Sequence, residues 1–104
     1  MRTMSREPLP HRRPCRTFAF LRDGHAFTAT VGFFRDGRPA EVFMSTGKPG
    51  AALDTTCRDA AVAVSIALQH GTPAETLRHA MTRLDDGSAA GPLGRLLDLI
   101  GEDT

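Results

Sequence analysis

The sequence predicts an α+β domain in which a three-stranded antiparallel β-meander is covered by one long apolar helix, with two shorter helices after it. Two patterns support this prediction. From Arg16 to Lys48 the pattern of apolar and polar residues has a period of two, which is typical of half-buried antiparallel strands. From residue 51 onward, apolar residues recur at steps of three and four, which is typical of helices that bury one face. The predicted order is β-β-β-α-α-α in two layers.

The three predicted strands cover residues 17–21, 26–34 and 40–45. In the second strand, four apolar side chains share one face: Phe27, Ala29, Val31 and Phe33. The dipeptide Asp23-Gly24 predicts a tight hairpin turn before this strand, because glycine readily adopts the positive φ that a primed turn requires. A second turn is predicted at residues 35–39, so consecutive strands pair in a meander with one aromatic face.

The first and longest predicted helix runs from Ala51 to His70, a stretch without glycine or proline. Its apolar residues form one wide face: Leu53, Cys57, Ala60, Ala61, Val64, Ala67 and Leu68. Asp54 in the first turn and His70 in the last turn both suit the helix dipole. Gly71 is predicted to end the helix in the left-handed conformation.

Two shorter helices are predicted after Gly71. In the first, Thr72 is expected as the N-cap, Pro73 as the first helical residue and Glu75 as the second member of a capping box. Its expected buried side chains are Leu77, Ala80, Met81 and Leu84. The second short helix begins at Pro92 and is expected to bury Leu93, Leu96, Leu97 and Ile100.

The 104 residues suffice for one domain with a single core, since 40% are apolar and 24% are charged. The formal net charge of +1 gives no chain-wide attraction to nucleic acid or membranes. Residues 1–16, however, combine five arginines and three prolines with a single acid, Glu7. Because interleaved prolines prevent a continuous helix or a central strand, residues 1–16 are predicted to be a flexible basic arm and residues 17–104 the folded domain.

The sequence lacks the features of membrane and secreted proteins. It has no apolar run of the roughly 18 residues that a membrane span needs, and no apolar stretch follows the basic N-terminus as in a secretory signal. Cys15 and Cys57 are too far apart for a CxxC redox pair or half of a zinc site. Two free thiols are therefore expected in a reducing compartment, which favours a cytoplasmic location.

No group of residues with catalytic potential stands out. The four histidines, His11, His25, His70 and His79, are not spaced from one another or from other ligands as metal ligands are. Ser65 lies in mid-helix, where its hydroxyl is expected to bond a carbonyl of the preceding turn. The sequence contains no Walker loop, no GxGxxG and no HExxH motif. It therefore predicts no catalytic residue, no metal site and no cofactor, and argues against an enzyme.

The segment STGKPGAALD, residues 45–54, contains the only lysine of the chain, Lys48. If a strand ends near residue 45 and a helix begins near residue 51, then Gly47, Lys48 and Gly50 lie in the loop at the helix N-terminus. Such a loop can hold a phosphate or a carboxylate, since the first N–H groups of a helix are unpaired and carry a partial positive charge. The alternative is a tight connection in which the glycines supply positive φ and Lys48 is solvated.

Nucleic-acid binding is a second hypothesis for a site. It would use basic side chains of the arm and of the loop: Arg2, Arg6, Arg12, Arg13, Arg16 and Lys48. Each phosphate contact would add to a salt-dependent affinity. Against this hypothesis, the chain has no Tyr or Trp for base stacking, and its six phenylalanines are mostly expected in the core.

From residue 27 to residue 100 the chain resembles the TSCPD domain. The resemblance is carried by four segments, which are DGRPAEVF, the GKPG turn into a long helix, SIALQHGTPAETLRHAMTR and GPLGRLLDLI. That domain occurs near the C-terminus of adenosylcobalamin-dependent ribonucleotide reductases and in small free-standing proteins of bacteria and phages. The resemblance implies a β-meander with helices. It does not imply reductase activity, because the cobalamin and nucleotide sites of those enzymes lie in a large catalytic barrel for which this chain has no room.

The Thr-Ser-Cys-Pro-Asp motif that gives the family its name is not kept in this chain. The corresponding residues are Ala89, Ala90, Gly91, Pro92 and Leu93. The proline remains as a helix start, whereas the cysteine is gone. A thiol-dependent or metal-dependent role of that motif is therefore not expected here.

Three functions agree with these observations. The first is a non-enzymatic accessory or regulatory module that works through contact with a protein partner, such as a nucleotide-metabolism enzyme or a second copy of the chain. The second is nucleic-acid binding through the basic arm and the Lys48 loop. The third is a sensor of a small anion or nucleotide at residues 47–50. The first is preferred, because the chain has no catalytic group of residues and resembles a domain that is usually attached to a larger protein.

Overall fold

The computed structural model describes residues 5–102, which contain three strands and three helices in the predicted order. The elements are β1 (Cys15–Arg22), β2 (His25–Phe33), β3 (Pro39–Ser45), α1 (Ala52–Gln69), α2 (Ala74–Ala80) and α3 (Pro92–Glu102). The predicted fold class, an α+β domain built on a three-stranded antiparallel sheet, is confirmed. None of the helices between residues 5 and 102 is long and apolar enough to cross a membrane.

The sheet is a meander with the strand order β1-β2-β3, so β2 is the central strand. Asp23 and Gly24 connect β1 to β2 with φ angles of 51° and 77°, as in a type I′ turn. The predicted hairpin is therefore confirmed. Phe27, Ala29 and Val31 of β2 are buried on the inner face, as the alternation predicts.

The far end of β2 is irregular. The register between β2 and β3 shifts between Gly32 and Phe33, so the alternation of side chains is interrupted there. Phe33 is only partly buried, whereas the following Phe34 is buried. The guanidinium of Arg38 lies 4.6 Å from the centroid of the Phe34 ring and covers it.

Helix α1 packs alongside β3, which is an edge strand of the sheet. The buried apolar side chains of α1 all belong to the predicted face: Cys57, Ala61, Val64 and Leu68. They form one core cluster with the inner side chains of β2 and β3 and with α3. Gly71 follows the helix with a φ of 98°, which confirms the predicted left-handed end.

The predicted start of α2 is wrong. Pro73 and not Thr72 is the N-cap of this helix, and no side chain caps it, so the expected capping box with Glu75 does not form. The reason lies at the end of α1, where the N–H of Thr72 donates a hydrogen bond of 3.0 Å to the carbonyl of Ala67. The N–H of Thr72 therefore belongs to the end of α1 and is not available to the carboxylate of Glu75, as a capping box requires.

Helix α2 also buries less than predicted. Leu77 and Met81 pack partly against the core, and no residue of the helix is fully buried. Ala80 and Leu84, which were predicted to be buried, are exposed. Leu84 lies beyond the helix, because α2 ends at Ala80, after two turns, and the chain continues as an extended segment.

Helix α3 begins at Pro92, as predicted, and contributes Leu96, Leu97 and Ile100 to the core. Leu93 packs partly against the same cluster. On the other side of the helix, Arg83 donates a hydrogen bond of 2.6 Å to the carboxylate of Asp98. This bond lowers the pKa of Asp98. An ion pair thus attaches the loop after α2 to α3.

Residues 5–14 form no helix or strand, but they lie against the domain. The N–H of Glu7 donates a hydrogen bond of 2.7 Å to the carbonyl of Gln69, and the carboxylate of Glu7 lies 3.0 Å from the guanidinium of Arg38. Strand β1 begins at Cys15, so the last two residues of the predicted arm, Cys15 and Arg16, belong to the sheet. The flexibility of the arm stays a prediction.

Candidate interaction surface

The Lys48 loop lies at the N-terminus of α1, where the sequence placed it. Gly47 and Gly50 have φ angles of 80° and 85°, so both use the conformation that favours glycine. Lys48 is exposed, and it shares with His25 a cavity of about 190 Å³ between the β1–β2 turn and the start of α1. This geometry is compatible with an anion site and equally with a tight connection.

Asp54 brings a negative charge to the same end of α1. Its side chain is buried, and it accepts hydrogen bonds from the Thr46 N–H at 2.8 Å and from Arg58 Nε at 2.7 Å. The backbone hydrogen bond from Thr46, followed by the bond from Arg58, lowers the pKa of Asp54. The charge of this carboxylate therefore offsets part of the positive potential that an anion beside Lys48 would use.

The basic residues proposed for nucleic-acid binding are spread over the domain. Arg6 donates to the side chain of Gln69 at the C-terminal end of α1, and Arg13 pairs with Glu41 close by. Lys48 lies at the opposite end of α1, whose 18 residues span about 27 Å. Arg6 and Arg13 therefore do not share a surface with Lys48.

The other arm arginines add no further cluster among residues 5–102. Arg12 is exposed. The guanidinium of Arg16 lies over the Phe18 ring, 5.3 Å from its centroid. Arg2 lies outside the described residues, so its part in the hypothesis stays a prediction.

A groove of about 480 Å³ lies between β3 and the outer side of α1. It contains three large apolar side chains that are well exposed: Phe43 at 59%, Val62 at 57% and Ile66 at 44%. Leu9 of the N-terminal segment also lines this β3–α1 groove. Exposed apolar groups that adjoin one another, with polar residues around them, mark sites of contact with other molecules.

Both walls of the β3–α1 groove follow from local geometry. Phe43 alternates with the buried Val42 and Met44 along β3, so its side chain points away from the core. Val62 and Ile66 are four residues apart in α1 and therefore share one side of the helix. That side is not the one that packs into the core.

The sequence motifs considered above do not predict this groove, although one signal for it is present in the sequence. Residues 60–68, AAVAVSIAL, are almost wholly apolar, and a single buried face needs only part of them. A helix that is apolar on more than one side requires cover on each of those sides. The surplus apolar residues of α1 thus indicated a second contact surface.

The cysteines and acidic residues give no sign of metal or thiol chemistry in the described chain. Between residues 5 and 102, no three His, Cys, Asp or Glu side chains are grouped so that they could hold a metal ion. Cys15 is exposed and Cys57 is buried, and neither forms a disulfide. Burial, together with the charge of Asp54, raises the pKa of the Cys57 thiol, which disfavours the reactive thiolate.

Fold and surface together define a small α+β domain with an exposed apolar groove beside a sheet edge. The model of the TSCPD domain family matches residues 3–102, and the chain belongs to this family. The resemblance predicted for residues 27–100 is confirmed, and the match also includes most of the N-terminal segment. No solved structure matches the chain significantly.

Three similar proteins are named vitamin B12-dependent ribonucleotide reductases. The protein from Agrobacterium fabrum (strain C58 / ATCC 33970) is 39% identical over 77 residues, which is 74% of this chain and 6% of the reductase. The protein from Rhodopirellula baltica is 38% identical over 72 residues, or 69% of this chain and 7% of the reductase. The protein from Bradyrhizobium diazoefficiens is 38% identical over 77 residues, or 74% of this chain and 6% of the reductase. The chain thus corresponds to only 6–7% of the length of these relatives.

Proposed function

We propose that this chain is a non-enzymatic accessory or regulatory module that acts by binding a polypeptide, either a ribonucleotide reductase or a second copy of itself. The observation that carries this proposal is the β3–α1 groove, in which Phe43, Val62 and Ile66 are exposed together. Burial of apolar surface is the dominant favourable term in most protein association. A partner that covered these three side chains would therefore gain free energy at this site.

The relatives suggest which partner to test first. In the reductases, a region similar to this chain forms a small part of a much longer polypeptide. In those proteins the TSCPD-like region is covalently joined to the rest of the reductase. We therefore infer that a reductase polypeptide is a natural binding partner for the β3–α1 groove of this chain.

Sedimentation velocity of the full chain tests both partners. The chain is sedimented alone over a range of concentrations, and again with the ribonucleotide reductase of Agrobacterium fabrum. We expect a dimer or a mixed complex, and we expect Ile66→Asp to abolish it, because a carboxylate would then have to be desolvated in an apolar contact. A chain that stays monomeric and binds no reductase at about 0.1 mM, where even weak complexes are populated, contradicts the proposal.

Leu84→Asp is the matched control for this experiment. Leu84 is exposed to a similar extent as Ile66 but does not line the groove. The control variant should associate like the wild type. If both variants lose association equally, the added charge and not the groove is responsible, and the assignment of the surface is wrong.

The other hypotheses stay predictions. Nucleic-acid binding through the arm and anion sensing at Gly47, Lys48 and Gly50 have no structural observation that favours them over the groove. We also propose a cytoplasmic location for the accessory module, because the thiols of Cys15 and Cys57 are free.

A further inference from the structure

We infer that the β3–α1 groove receives an acidic amphipathic helix of the partner, which is held by its side chains and not by strand addition. This inference rests on the proposed function and specifies the chemistry of the partner. Three features of the groove support it: the closed backbone edge of β3, the apolar floor and the sign of the exposed charges.

The backbone edge of β3 is already occupied by side chains of α1. The N–H of Val42 donates to Ser65 Oγ at 2.8 Å, and the carbonyl of Ala40 accepts from Gln69 Nε2 at 3.0 Å. Just beyond the strand, the N–H of Thr46 is bonded to the carboxylate of Asp54. An incoming strand needs a row of free backbone groups along the edge, and these bonds interrupt the row.

Between the bonded positions Val42 and Thr46, one residue of the β3 edge, Met44, has no hydrogen bond from α1 among the described residues. Alternation along the strand directs the backbone of Met44 outward, as it does for Val42, and no side chain of the described residues is bonded to it there. A single residue is too short for a ladder of hydrogen bonds. A partner must therefore be recognised mainly through its side chains, as when an amphipathic helix lies in a groove.

The floor of the groove fits such a helix. Val62 and Ile66 lie one helical turn apart on α1, and Phe43 faces them from β3. The volume of about 480 Å³ lies within the range of cavities that bind small ligands, so it has room for a few apolar side chains of a partner. Leucines at successive turns of a partner helix would meet this floor.

The exposed charges of the groove are positive. Three charged residues line it, namely Arg6, Glu41 and Arg58. The carboxylate of Glu41 is buried and paired with Arg13, so its charge is neutralised. Arg58 is more than half exposed. Its ion pair with Asp54 offsets part of its charge, but among residues 5–102 only its Nε is bonded, so its terminal nitrogens are available to a partner. Arg6 is exposed and is bonded through Nε to the neutral side chain of Gln69. Carboxylates of a partner therefore find two guanidinium groups beside the apolar floor.

Nuclear magnetic resonance of the ¹⁵N-labelled full chain tests this inference with three synthetic peptides of equal length. The first peptide forms an amphipathic helix with a leucine face and glutamates elsewhere. The second has lysines in place of the glutamates, and the third has serines in place of the leucines. We expect the first peptide to shift the amide signals of Phe43, Val62 and Ile66, and the other two to bind more weakly.

The contribution of the charges is tested with Arg58→Gln. For the acidic peptide we expect a roughly two- to five-fold loss of affinity, as for a surface ion pair, and a smaller loss at high salt. Arg95→Gln is the control for the loss of an exposed arginine, because Arg95 forms an ion pair with the exposed Glu102 on α3 and does not line the groove. The control should leave the affinity unchanged.

Failure of this inference can be told apart from failure of the proposed function. If the lysine peptide binds as well as the glutamate peptide, or if the shifts lie away from the groove, the acidic helix is the wrong occupant. A complex with the reductase or with a second copy would still stand in that case. If no peptide binds and sedimentation also finds no complex, both proposals are overturned.

Discussion

Helix α1 has two apolar sides, but only one of them is covered. On the inner side, Val64 is 5% exposed and belongs to the core. On the outer side, Val62 is 57% exposed and lines the β3–α1 groove. The two valines lie two residues apart in the same helix and have the same helix propensity. Their difference in exposure therefore comes only from what surrounds each side chain. Packing of the core therefore accounts for only part of the apolar character of this helix.

Polar residues of α1 have a third role, at the boundary between these two sides. Asp54, Ser65 and Gln69 satisfy backbone groups at the outer edge of β3 and just beyond it. This contact fixes the helix beside the strand and prevents the edge from pairing with other chains. The helix thus packs a core, closes a sheet edge and presents an apolar surface.

The largest expected effect distinguishes the two apolar sides directly. Val64→Ala should lower the free energy of unfolding by about 2 kcal/mol, because buried methyl groups are lost and a cavity remains. Val62→Ala should change it by no more than about 0.5 kcal/mol, as is usual for exposed positions. Urea denaturation of both variants measures the difference. Equal losses would mean that the outer side is also part of the folded core.

The second prediction concerns the closed edge of β3. Ser65→Ala leaves the N–H of Val42 without its acceptor, which should cost about 1–2 kcal/mol of unfolding free energy. Hydrogen exchange of the Val42 amide should become faster as well. Ser88→Ala is the control, because Ser88 bonds to the exposed Asp86 in a loop and its loss should cost little. Unchanged protection of Val42 would show that Ser65 does not close the edge.

The fold could largely be predicted because local signals encode it. Asp23-Gly24 specifies the hairpin, Gly71 ends the first helix and Pro92 begins the last one, and none of these signals depends on distant contacts. The start of α2 could not be predicted in the same way. The N–H of Thr72 could bond either to the end of α1 or to Glu75 in a capping box. In the structure it bonds to the carbonyl of Ala67, at the end of α1.

The candidate site was less predictable, because exposure depends on which element covers which. The alternation in β3 placed Phe43 opposite Val42, but it did not reveal whether a helix covers the Phe43 side. The distance between Arg6 and Lys48 is likewise set by α1, which holds them at its two ends. Ser65 was correctly predicted to bond the preceding turn, at Ala61, yet its second bond to Val42 required the tertiary packing.

The smallest expected effect is the pH dependence contributed by Asp54. Hydrogen bonds from the Thr46 backbone and then from Arg58 lower the pKa of this carboxyl in the folded state. Its stabilisation is therefore fully present above the pKa of the unfolded state and is lost as the pH falls through the lowered folded value. Asp54→Asn keeps an oxygen that can accept from Thr46 but removes the charge that attracts Arg58.

Other carboxylates with lowered pKa values, such as Asp98, also contribute to acid unfolding, so the wild type alone cannot isolate this effect. The quantity to measure is the difference in melting temperature between the wild type and Asp54→Asn at a series of pH values. We expect this difference to be largest near neutral pH and to shrink in acid, where the protonated aspartic acid resembles asparagine. A difference that stays constant with pH would mean that shape and neutral hydrogen bonding, and not charge, hold the first turn of α1 against β3.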